Sequence, residues 1–348
     1  MDLNFKSASL RQIIVHYVGS KNNLDPLYLA PQALALDEEL MQIIGESFLN
    51  KFNNNFEYYS FHHPSSLQFN EVYNYAVQLF DDREQFDRLS AEIAKHLYES
   101  STHPKVKGGE LYVCLFEGLP IEGRIYSAVG LFKCENKSLF LDVKHMGNDF
   151  ELQMKEGMEL SKIDKGCLVI HTKRDEGLDV LIFDNQNRGE EALYWKEKFL
   201  SIVPQKNEYH QTSQFLTLTK KFITEQMDSE FGTPKKEQVE LLSKSIDYFK
   251  NKESFDIEEF QNEVFQSPEM VDSFRNYGSR YVEQTDFDIA SSFDISPMAV
   301  KKQQRIYKSV LKLDKNFHIY IHGNTDLIEK GVDMDGRKYY KIYYQEES

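Results

Sequence analysis

Lys301, Arg305, Lys308 and Lys312 recur every three or four residues, the spacing that stacks side chains on one face of an α-helix. Ser296 and Pro297 precede them as a capping residue and a first-turn proline, so the segment Ser296–Leu313 is predicted to be helical. At about 100° per residue the four cations fall in one stripe, while Val300, Ile306, Tyr307, Val310, Leu311 and Leu313 gather on the opposite side. Such a stripe would run for roughly 16 Å. Its chemistry is neutralisation of successive phosphates along a nucleic-acid strand, and duplex DNA is the expected partner. Lys302 and Lys315 flank the stripe as supporting contacts.

A second chemistry is written into Phe140-Leu141-Asp142-Val143-Lys144. Asp142 and Lys144 share one face of a strand there, and with Glu122 or Glu135 as a further carboxylate they could hold Mg²⁺ in a nuclease. The three-residue pattern also arises on any half-exposed strand with alternating charges. Phosphate-cradling glycine loops, a nucleophile elbow and the zinc-protease motif are absent from the sequence. His62 and His63 are adjacent and read as loop residues; His16, His318 and His322 alternate with apolar neighbours, as satisfied imidazoles in strands do. Neither a metal nor a cofactor is expected. Tyr339, Tyr340, Tyr343 and Tyr344 flank two lysines in the last apolar run, where stacking on unpaired bases competes with core packing for at least one pair.

The elements that must position these groups belong to a chain of 348 residues, 41% hydrophobic, with a net charge of −15. That size supports a full core and favours two domains. No apolar run approaches a membrane span and the first residues lack a secretory pattern, which predicts a cytoplasmic chain. Cys114, Cys134 and Cys167 are odd in number and far apart, and read as buried free thiols. The net charge opposes DNA at long range, but it is unevenly distributed. Residues 301–341 hold ten Lys and Arg against five Asp and Glu, a net of +5, whereas residues 251–300 carry −8. The acidic stretch could instead neutralise the basic one within the fold.

Up to about residue 205 the pattern predicts an α+β domain: a strand at Ile13–Val18, helices over Leu34–Phe52 and Asn70–Tyr98, and short strands from Leu111 to Phe183 arranged as an antiparallel sheet packed on those helices. A helix follows at Glu190–Ile202. The polar loop at 204–210 predicts a boundary that divides the chain into domains 1–205 and 206–348. The second domain reads as mainly helical, with helices over Thr212–Ser229, Pro234–Lys250, Asp256–Phe265, Pro268–Tyr277 and the basic segment. It closes with two strands, Phe317–His322 and Lys338–Tyr344, which could form a hairpin across the Asp335-Gly336 turn.

The run from Ile295 to Lys302, continued by Lys308-Ser309-Val310-Leu311-Lys312-Leu313 and on to Gly323, resembles the C-terminal part of bacterial nucleoid-associated proteins of the NdpA/YejK type. Shorter likenesses upstream, such as Asn70-Glu71-Val72-Tyr73 and Asp164-Lys165-Gly166-Cys167-Leu168, extend the resemblance over nearly the whole chain. It implies a protein of the bacterial nucleoid that contacts DNA, with no catalytic residues to carry over. The contact residues remain an inference from charge geometry. A local basic patch, a homodimer that joins two patches, or a scaffold recruited through a chromosome-acting protein each fits the acidic total; the Mg-dependent nuclease is the remaining alternative.

Overall fold

A computed structural model describes residues 5–53, 57–121, 123–185, 194–285, 287–304, 307, 309–313, 316–321 and 327–346. The chain is α+β and divides into two compact units, Met1–Gln205 and Lys206–Ser348. Among the described residues no helix is long and apolar enough to cross a membrane.

The first unit is built on one antiparallel sheet. Its strands are β1 (Ser9–Val18), β2 (Leu27–Tyr28), β3 (Tyr59–Phe61), β4 (Gly109–Ile121), β5 (Arg124–Cys134), β8 (Lys165–Ile170), β9 (Asp179–Asp184) and β10 (Ile202–Pro204), while β6 (Ser138–Met146) and β7 (Asp149–Gly157) form a separate hairpin. The order across the sheet is β10-β3-β9-β8-β5-β4-β1-β2. Helices cover both faces. Helix α1 (Glu38–Leu49) packs Phe48 and Leu49 against Cys114, Phe116, Phe132 and Leu168 on one side. Helices α2 (Glu71–Asp81) and α3 (Phe86–Ser100) bury Leu79, Leu89, Ile93 and Leu97 against Val113, Leu115, Leu131 and Val169 on the other. Coverage of both faces explains why the central strands read as continuous apolar runs rather than alternating ones. Gly118, at φ +78°, sits in the irregular register between β4 and β5, a conformation that a side chain would strain.

Local chemistry sets the helix ends. Asp37 caps α1 by accepting the Leu40 N–H at 2.8 Å, and Asn70 caps α2 by accepting the Tyr73 N–H at 2.9 Å. Asn70 also donates to the Leu200 carbonyl, tying the helix start to a distant segment. The stretch predicted as one helix from Asn70 to Tyr98 is two, because Asp82 adopts an extended conformation and accepts the Glu84 N–H. The predicted Glu190–Ile202 helix is also corrected: Tyr194–Leu200 is a π-helical turn with Trp195 buried, and Ile202 begins an edge strand paired to β3. Residues 190–193 lie outside the described residues. All three cysteines are free and buried, and burial pushes the Cys134 thiol up to about 11.

His16, on β1, is 1% exposed, with Nδ1 accepting the Ala30 N–H at 3.1 Å and Nε2 lying 3.2 Å from Ser90 Oγ. Burial disfavours the imidazolium and lowers its pKa from 6.5 to about 4. The unfolded chain therefore takes up this proton first as pH falls. The stability is fully present above pH 6.5 and declines down to about pH 4, at up to about 1.4 kcal/mol per pH unit, at most about 3 kcal/mol in total. Urea melts at pH 7 and pH 4.5 should show this loss, and a His16→Asn variant should show a flatter pH dependence between them.

The second unit is mainly helical: α4 (Glu208–Lys221), α5 (Met227–Phe231), α6 (Lys235–Asn251), α7 (Ile257–Val264), α8 (Pro268–Gln284) and α9 (Pro297–Gln304). Its core is aromatic. Phe215 lies 5.1 Å from Phe260 edge-on, and Phe222 contacts Phe265 and Phe274 in the same manner, the arrangement that the ring quadrupole favours. Short strands β11 (Ser254–Asp256) and β12 (Ser292–Asp294) pair beside it. The C-terminal strands form two hairpins rather than one: β13 (Ser309–Leu313) pairs with β14 (Phe317–Ile321), and β15 (Ile328–Val332) pairs with β16 (Lys338–Ile342). The Asp335-Gly336 turn therefore joins β16 to β15, not to Phe317–Ile321.

Candidate nucleic-acid interface

Helix α9 starts where Ser296 Oγ accepts the Ala299 N–H at 3.4 Å, with Pro297 in the first turn. Ala299, Val300 and Gln303 form its buried side. Gln303 fixes that side to α4, donating to Ser213 Oγ at 2.8 Å and to the Ser213 carbonyl at 3.3 Å. Lys301 and Lys302 stand on the exposed side. Lys302 Nζ lies 5.6 Å from the centre of the Tyr209 ring, a cation–π contact.

The predicted helix Ser296–Leu313 ends at Gln304, which is a correction. Tyr307 is buried, its hydroxyl donating to the Leu216 carbonyl of α4, and the chain then enters β13. As a strand, Ser309–Leu313 supplies the ladder for Phe317–Ile321, whose backbone groups a helical continuation would leave without that partner. Lys312 thus stands on a strand opposite His318, and the single helical stripe of four cations does not form. Arg305, Lys308 and Lys315 lie outside the described residues. The missed signal was Asp314-Lys315-Asn316, turn residues between two apolar runs of similar length.

Charge along the second unit is organised locally. In the acidic stretch, Lys252 Nζ sits 2.7 Å from Glu259 and 3.1 Å from Glu263, which holds Glu259 below the usual carboxylate range and raises Lys252. Among the described residues no carboxylate lies within ion-pair distance of Lys301. Other lysine pairs are engaged nearby: Lys235 with Asp228 at 3.6 Å, Lys236 with Glu240 at 3.9 Å, and Lys221 over the Tyr281 ring at 5.4 Å. Burial lowers the pKa of Lys220.

Further cations, missed as candidates in the sequence, are exposed on the last hairpin: Lys330, Arg337, Lys338 and Lys341. The tyrosines there do not form a core pair. Tyr339, Tyr343 and Tyr344 are exposed and Tyr340 is half-buried, a correction to the expectation that one pair would be interior. Tyr339 lies across Gly331, whose missing Cβ leaves room for the end of the ring. Lys341 Nζ is 4.8 Å from the Tyr343 ring centre, and Tyr343 donates to Glu329 at 2.8 Å.

The carboxylates weighed for metal chemistry are held apart by role. Asp142 is on the β6–β7 hairpin, 2.5 Å from Lys155 Nζ, whereas Glu135 is buried between Lys133 and Lys165. Glu122 lies outside the described residues. Among the described residues no group of three His, Cys, Asp or Glu side chains is placed to hold a metal. His63 accepts the Ser65 N–H at 3.2 Å within its loop.

Residues 14–335 match the sequence model of a family described as nucleoid-associated protein YejK. No curated protein matches the chain.

Proposed function

Because the chain belongs to the nucleoid-associated protein YejK family and so has a nucleoid-associated role, we propose that it binds duplex DNA, largely without sequence preference, through its basic C-terminal segment. The observation that carries this reading is the outward pair Lys301 and Lys302 on a helix whose other side is committed to the core. They open a stretch of ten Lys and Arg against five Asp and Glu. Arg305, Lys308, Lys312 and Lys315 continue it, and the exposed cations of the last hairpin extend it. Side chains of this type contact phosphate oxygens, which are the same for every sequence.

The net charge of −15 makes the interaction local and salt-sensitive. Four phosphate contacts give a slope of about −3.6 in log affinity against log salt. Anisotropy titrations of the full chain with two unrelated labelled duplexes should give that slope and affinities within a few-fold of each other. No binding at about 50 mM salt would overturn the reading and leave recruitment through a protein already on the chromosome.

A further inference from the structure

The β6–β7 hairpin is a nine-residue ribbon with two unlike faces. Cross-strand register puts Leu139 opposite Glu156, Leu141 opposite Met154, Val143 opposite Leu152 and His145 opposite Phe150 on one face. The other face carries Asp142, Lys144, Glu151, Gln153 and Lys155 in its middle, with Phe140 near the base and Met146 beside the turn. The first face is apolar yet open: Leu139, Leu141, Val143, Phe150, Leu152 and Met154 are 69%, 65%, 55%, 64%, 64% and 71% exposed. A two-stranded ribbon is marginally stable by itself, and contiguous apolar patches of this size mark interaction surfaces.

We propose that this face binds the same face of a second copy of the chain, the two ribbons stacked antiparallel about a two-fold axis. Area is the first reason. Together the six side chains expose roughly 700–800 Å², about what each partner buries in a standard-size interface. A second ribbon, about 30 Å long and one side chain deep, has the dimensions to cover that patch.

Charge is the second reason. The two polar side chains on the face are His145, beside the turn, and Glu156, near the base. Antiparallel stacking sets each turn over the other base, so His145 of one copy meets Glu156 of the other, twice, around an uncharged centre. Parallel stacking would set like against like. An interface of this kind is isologous and closes at two copies. The opposite face has charged and amide side chains along its middle and apolar ones only at its ends, Phe140 and Met146, which limits further growth.

The inference uses only the first unit and stands independently of DNA binding. It is tested by light scattering and sedimentation of the full chain across a concentration series. The wild type should run as two chains, and Leu141→Glu with Met154→Glu should weaken association by about 100-fold or more, since each interface would bury four unpaired carboxylates. Lys144→Ser, in the charged middle of the opposite face, should change nothing. His145→Glu should weaken association about 10-fold, and adding Glu156→Lys should restore it, a rescue that general damage to the hairpin would not give. A wild-type chain that stays single at about 100 µM, where a standard-size interface would be populated, overturns the proposal and assigns the face to a different protein. Dimerisation unaffected by the Leu141/Met154 substitutions overturns it as well.

Discussion

Replacing Lys301 and Lys302 together by glutamate is expected to weaken duplex binding by about 100-fold at 0.1 M salt and to reduce the salt slope by about 1.8. Both figures follow from the loss of two phosphate contacts, each releasing about 0.9 counterions, with the introduced carboxylates adding repulsion. The fold should tolerate the change because both side chains are exposed and the buried side of α9 rests on Ala299, Val300 and Gln303. Losing the Lys302–Tyr209 contact costs about 0.5–1 kcal/mol at most. Lys235→Glu with Lys236→Glu is the control, since those lysines already lie beside Asp228 and Glu240. Equal affinity and slope in the α9 variant and the wild type would remove Lys301 and Lys302 from the interface.

Where a residue acts through its own backbone preference, the sequence was readable. Asn70 and Asp256 stand where helices were expected to begin and cap them, whereas Asp37 starts its helix four residues later than the expected Leu34; turn residues separate the sheet strands where expected. Where partners decide, it was not. Val310-Leu311-Lys312-Leu313 suits either a helix or a strand, and pairing with Phe317–Ile321 settled it. Leu139-Phe140-Leu141 is as apolar as Val113-Cys114-Leu115, yet the first is exposed and the second buried, because helices cover only the sheet. The basic segment was legible as composition, but its geometry was not. Least legible were Lys133 and Lys165, both fully buried, since lysine in a sequence reads as surface.

Those two lysines make Glu135 the residue whose loss should cost the fold most. Lys133 and Lys165 stand directly opposite each other on β5 and β8, both at 0% exposure. Glu135 bridges them, with Oε1 3.2 Å from Lys133 Nζ and Oε2 3.5 Å from Lys165 Nζ, and Oε1 accepts the Tyr194 hydroxyl at 3.0 Å. Lys133 also donates to the Lys107 carbonyl at 2.7 Å, and Lys165 lies 3.2 Å from Asp184. Burial lowers the pKa of Lys133, and the Glu135 carboxylate opposes that fall. Glu135→Ala leaves two ammonium groups side by side with one carboxylate fewer, at a cost of about 3–5 kcal/mol in urea melts at pH 7. Without Glu135 the folded Lys133 sheds its proton at lower pH than the unfolded lysine. Between those two pKa values the unfolded chain binds more protons, so the variant should recover stability relative to wild type as pH rises toward 10. Lys133→Met with Glu135→Leu removes one charge of each sign and keeps the Lys165–Asp184 pair, and should restore at least half of the loss. A Glu135→Ala protein within about 1 kcal/mol of wild type would show that the lysines reach water or other carboxylates, and that Glu135 does not hold the cluster together.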